Sequence, residues 1–167
     1  MTASGDFSTF CAQHYPRLVG ALGLHCGDRA VGEELAQETL ARAWAHWAKV
    51  RELEDPSGWT FRVAINLSNS YFRRRSAEKR AMERNSEGRR ADVDAATALA
   101  VRAAIARLPR RKRTALVARY YLDLPFAEIA RLMDSSESTV KSLARRAVEE
   151  LRKEFEEVDL READYVC

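Results

Sequence analysis

Glycine and proline are scarce in this sequence, 7 and 4 of 167 residues. Few positions therefore break a helix, and no run of alternating β-branched residues calls for a sheet. Cysteine is scarcer still, confined to Cys11, Cys26 and Cys167. An odd number at spacings that match no zinc motif speaks against a metal site and leaves small apolar thiols of a reduced protein. His14, His25 and His46 are scattered, and His25 beside Cys26 lacks two further ligands at usable spacing, so no metal is expected. No apolar run approaches the roughly 20 residues of a membrane span. The first residues lack a basic start followed by an apolar stretch, so no signal peptide and no membrane association are expected, and the cytoplasm is the expected location. No P-loop, glycine-rich nucleotide fingerprint or nucleophile elbow is present. Neither an enzyme nor a bound cofactor is therefore expected.

What is abundant is Ala, Arg, Leu and Glu, a composition that favours helix throughout. Hydrophobic residues make up 46% and charged residues 32%, with 28 Lys and Arg against 25 Asp and Glu. A net charge of +3 says little about partners; its distribution says more. Apolar residues at helical spacing mark one buried face at Phe10, Tyr15, Leu18, Val19 and Leu22. Gly23, Gly27 and Asp28 read as an interruption. A second helix follows, with Leu35, Leu40, Ala43, Trp44 and Trp47 facing inward. After the breaker Pro56-Ser57-Gly58, with Ser57 as the expected cap, a third carries Trp59, Val63, Ile65, Leu67 and Phe72 into Arg73-Arg74-Arg75. Trp44, Trp47 and Trp59 are expected in the core, as large aromatics usually are.

Residues 76–94 are charged and lack aromatics, so they read as a flexible linker, with room for the preceding helix to continue a turn or two. A second unit begins near Ala95, with the stripe Leu99, Val101, Ile105 and Leu108 and a short helix from Arg110 to about Tyr121. The expected fold is all-α: two small helical domains, 1–75 and 95–153, with an acidic tail over 154–167. The tail either stays disordered or folds back on the basic second domain.

The most informative stretch follows Pro125, which suits a helix start. Ile129, Ala130 and Leu132 supply a buried side, and Asp134-Ser135-Ser136 is rich in turn and cap formers. In the next helix Val140, Ala144, Ala147 and Leu151 form one apolar face, while Lys141, Ser142 and Arg145 lie on another with Arg146 at its edge. Two short helices, a tight turn and a polar-basic second helix make a helix-turn-helix. A major groove admits one helix, whose exposed side must offer donors to phosphates and base edges.

From Leu108 to Arg152 the sequence resembles the C-terminal DNA-binding domain of extracytoplasmic-function (group IV) sigma factors. Leu108-Pro109, Arg113, Tyr120-Tyr121, Glu128-Ile129-Ala130, Thr139-Val140-Lys141-Ser142 and Arg146-Ala147 carry the likeness. The N-terminal half resembles that family's other domain through Gly27-Asp28-Arg29, Glu33-Glu34-Leu35, Gln37-Glu38, Arg42-Ala43-Trp44, Trp59, Arg62-Val63-Ala64 and Asn66-Leu67. Both stretches stand in the family's order.

The resemblance implies a subunit that binds core RNA polymerase, at its clamp and flap regions, and directs it to promoter DNA. The clamp would meet Glu34, Gln37, Glu38 and Arg42. Asn66 matches the position that recognises a flipped base of the downstream promoter element, with Trp59 and Arg62 on the same helix; Tyr71 and Arg73, Arg74 and Arg75 would stack on and neutralise the opened strand. Thr139, Lys141, Ser142, Arg145 and Arg146 would meet the upstream element. The resemblance also admits an anti-sigma protein as a partner. Three positions depart from the family pattern: Asp134 stands for a turn glycine, Leu143 for a basic residue and Ser70 for an aspartate. A stand-alone helix-turn-helix regulator is the alternative, but it has no need of the block from Gln37-Glu38 to Asn66.

Overall fold

The computed structural model describes residues 3–82 and 96–164, with side chains over 6–78 and 100–156. Every element among them is helical: α1 (Ala3–Cys26), α2 (Arg29–Ala45), α3 (Trp47–Val50), α4 (Pro56–Met82), α5 (Ala96–Arg107), α6 (Arg110–Leu116), a π-helical turn (Val117–Tyr121), α7 (Phe126–Leu132) and α8 (Glu137–Asp164). The chain divides into two compact units between Asp94 and Ala95. The all-α expectation holds. Of the expected linker, α4 occupies the part up to Met82, and the remainder lies outside the described residues. So does Leu99, as regards its side chain.

In the first unit α1 packs along α2, and α4 closes over both. Leu18, Ala21 and Leu22 from α1, Leu35, Ala36 and Ala43 from α2, and Phe61, Ala64 and Ile65 from α4 form the core. Gly23 does not interrupt α1. The helix runs on to Cys26 because Gly23 is where α2 crosses: a Cβ on Gly32 would lie 2.5 Å from the Gly23 backbone nitrogen. The turn itself is made by Gly27, at a φ of 73° that side chains avoid. Asp28 then caps α2, its Oδ1 accepting from the backbone of Ala30 and Val31 at 2.9 and 3.3 Å.

The cap of α4 is Asp55, not Ser57. Asp55 Oδ1 accepts from Gly58 N at 2.8 Å, and Ser57 Oγ instead bonds the His14 ring across to α1. A carboxylate at this position suits the helix dipole better than a hydroxyl does. Trp44 departs from expectation too. It is 50% exposed, while Trp47 is buried and Trp59 half-buried. Trp44 packs against Phe7, with centroids 4.9 Å apart and the rings tilted by 46°.

In the second unit Ile105, Leu108, Leu116, Ile129 and Val140 surround a small core completed by Ala115, Ala144 and Ala147. Val101, expected inside, is exposed. The buried Arg113 joins the first two helices by donating to Ala106 O at 3.0 Å. The helix after Pro109 changes pitch at Val117: Leu122 N reaches back to Val117 O at 3.0 Å, the longer π spacing. That turns Tyr120, 63% exposed, and Tyr121 outward. Asp134 sits in the turn at φ 47°, a left-handed conformation that Asp tolerates better than most residues. The tail begins as a helix: α8 is continuous to Asp164, and Glu154 pairs with Arg107 and Glu150 with Lys112.

Candidate nucleic-acid interface

On α2 the buried residues Gly32, Leu35, Ala36, Thr39 and Ala43 leave Glu34, Gln37, Glu38 and Arg42 together on the exposed side. Glu38 and Arg42 pair at 2.8 Å, both about half exposed. Such a surface pair contributes little to stability, so these groups are available to a partner at small cost.

On α4 Thr60, Phe61, Ala64, Ile65 and Ser68 face the core. At about 100° per residue, Trp59, Arg62 and Arg73 fall within roughly 40° of the exposed Asn66. They form one stripe along the helix. Ser70 lies on it as well: it accepts from Arg73 Nη2 at 2.8 Å and donates to Asn66 O at 3.0 Å. The serine thus steadies the cation next along the stripe. Tyr71 and Arg75 do not join this set. They lie roughly 140° to 180° round from Asn66 and bond each other, Arg75 Nη1 to the Tyr71 hydroxyl at 3.0 Å. Arg74 is exposed between the two groups.

In the second unit Val140, Ala144 and Ala147 anchor α8 against α6 and α7. Ser136 caps the helix, its Oγ accepting from Thr139 N at 3.2 Å. The same hydroxyl bonds the Thr139 hydroxyl at 2.8 Å, so Thr139 works first as part of the cap. Lys141, Arg145 and Arg146 are exposed and Ser142 half-buried. Lys141 lies 3.5 Å from Glu137 and Arg145 3.5 Å from Glu149. Each cation is held loosely by a carboxylate one turn away, which phosphate can displace.

Three residues near this face escaped the sequence reading. Arg111 donates to Ser135 Oγ in the turn at 3.1 Å. Arg119 lies 5.1 Å from the centre of the Phe126 ring, and the Lys141 ammonium lies 5.7 Å from the same point. A basic residue on another helix gives no periodic signal, whereas the aromatic at a helix start was readable but silent about its neighbours.

Comparison with known proteins fits this geometry. The family model for sigma-70 region 2 matches residues 10–78, and that for sigma-70 region 4 matches 98–151. The ECF RNA polymerase sigma factor SigL of Mycobacterium tuberculosis is 32% identical over 141 residues, covering 79% of this chain and 78% of that protein. The chain belongs to the ECF sigma-factor family. Its function is that of a sigma factor in transcription initiation. The RNA polymerase sigma-E factor of Streptomyces antibioticus is 28% identical over 135 residues, covering 80% of this chain and 75% of that one. Sigma factor RpoE, solved with the anti-sigma factor NepR from Bartonella quintana, shares the fold at a TM-score of 0.76 and 21% identity over 89% of this chain and 95% of that one. Among the described residues no helix is long and apolar enough to cross a membrane.

Proposed function

We propose that this ECF sigma factor engages the clamp of core RNA polymerase with Glu34, Gln37, Glu38 and Arg42 on α2, and its flap with the second unit. The α4 stripe Trp59, Arg62, Asn66 and Arg73 then takes the downstream promoter element. Asn66 holds a flipped base through its amide, which offers both a donor and an acceptor. The flanking arginines hold the phosphates of the opened strand, and Tyr71, Arg74 and Arg75 receive that strand farther round the helix. Lys141, Ser142, Arg145 and Arg146 on α8 meet the upstream element, with Thr139 fixing the start of the reading helix. The sigma factor carries no catalytic group in this reading. Polymerase supplies the chemistry, and contacts with exposed bases offset part of the cost of unpairing them. The work is done in the cytoplasm. An anti-sigma protein, the partner with which RpoE was solved, is the natural regulator.

The observation that carries this reading is the sorting of α2: its small and apolar side is spent on the core, and Glu34, Gln37, Glu38 and Arg42 share the open side. A free-standing regulator has no use for that block. Co-elution with core bacterial RNA polymerase tests it. The protein should form a stable complex, and Gln37→Ala with Glu38→Ala should weaken it by about tenfold or more, as the loss of anchor contacts does. Failure of the unaltered protein to bind core, with DNA binding intact, would favour the stand-alone regulator.

A further inference from the structure

The π-helical turn and the helix-turn-helix meet at one aromatic ring. Phe126 is the first residue of α7 and is half-buried. Two cations from different elements approach its ring: the Arg119 guanidinium at 5.1 Å from the centroid and the Lys141 ammonium at 5.7 Å. Like charges drawn to one ring repel each other, so something must hold them there. The negative ring face attracts both, and each also has an oxygen partner. Arg119 Nη1 donates to Asp123 Oδ1 at 3.3 Å and to Leu124 O at 3.2 Å. Lys141 has Glu137 at 3.5 Å. The backbone is shaped for the first of these contacts. Asp123 takes a left-handed φ of 54° two residues after the π turn, where its carboxylate meets Arg119. Departures of this kind gather at functional sites.

Lysine is a flexible chain with a compact charge, and an unrestrained one loses much of its freedom when it binds. A ring beside the ammonium removes part of that freedom beforehand. We propose that Phe126 is a positioning residue for promoter recognition, its ring presetting Lys141 of the reading helix from the helix before it, with Arg119 braced on the same ring. This rests on the reading of α8 as the helix that meets the upstream element.

The test is a double-mutant cycle on the holoenzyme, measuring affinity for a promoter fragment that carries the upstream element. Phe126→Leu should weaken binding by about two- to fivefold, the range of an exposed cation–π contact. Phe126→Tyr, which keeps the ring, should restore it. In a Lys141→Ala background Phe126→Leu should have little further effect. An equal loss in both backgrounds, or no rescue by Tyr, would show that Phe126 acts through the fold alone and overturn the proposal. Promoter affinity untouched by Lys141→Ala would instead overturn the reading of α8, and this proposal with it.

Discussion

Single residues carry the tightest constraints in the first unit. Gly32 and Gly23 let two helix backbones touch, and a Cβ at Gly32 would meet backbone, which cannot swing aside. Gly32→Ala should therefore destabilise the protein by about 1–3 kcal/mol, the usual cost of overpacking, seen as a lower thermal midpoint. Gly23 was legible as a special position, but its physical reason was not. A glycine that breaks a helix and one that admits a neighbouring helix look alike without knowledge of the crossing. Trp44 departs from the core for a related reason. Its place beside Ala43 and Trp47 suggests the core, yet half of it stays exposed although it packs against Phe7. Helical spacing separates sides of a helix, and it cannot tell a covered ring from one at the rim. His14 shows a third kind of hidden constraint. Partial burial, reinforced by Arg17 and opposed by Asp55, holds its pKa below the ordinary histidine value, so at neutral pH the ring is available for its bond to Ser57.

Elements were easier to read than residues. Apolar spacing located α1, α2, α4 and α8, although Trp47, expected on the second helix, stands on α3, and Asp134, which takes the place of a turn glycine in the family pattern, does adopt the left-handed turn. Caps were harder, since neighbouring residues compete for the same backbone donor. Asp55 and Ser57 are both able to cap α4, and the competition ends with Ser57 drawn to His14. Asp55→Ala should cost about 1 kcal/mol in chemical unfolding, typical of a lost cap, whereas Ser57→Ala should leave the start of α4 capped. The π turn at Val117 had no sequence signal at all. With it Val117, Ala118 and Leu122 lie inside and Tyr120 outside, an arrangement that no local pattern records. The acidic tail offered two alternatives on sequence grounds. Its first residue is part of α8 and paired with Arg107, so it begins as a continuation of the fold.

At the scale of the whole molecule, fold class and family were written in the sequence, because composition dictates helix and two motif blocks stand in order. The division into two units also appears, with Asp94 and Ala95 at its seam. The candidate site was legible where one helix face carries it, as on α2 and α8. On α4 it was legible only in part: a linear motif cannot show that Tyr71 and Arg75 leave the Asn66 stripe and bond each other. The contribution of Phe126 needed three elements brought together, which no local pattern records.

As proposed, this chain directs polymerase to promoters through α4 and α8. Mapping of transcript starts from genomic DNA, with core bacterial RNA polymerase and the purified protein, tests it most directly. New starts should appear behind a shared two-element sequence and be lost with Asn66→Ala and with Lys141→Ala plus Arg145→Ala. Starts that persist in these variants would contradict the residue assignments, and no new starts from a protein that still binds DNA would contradict the claim itself.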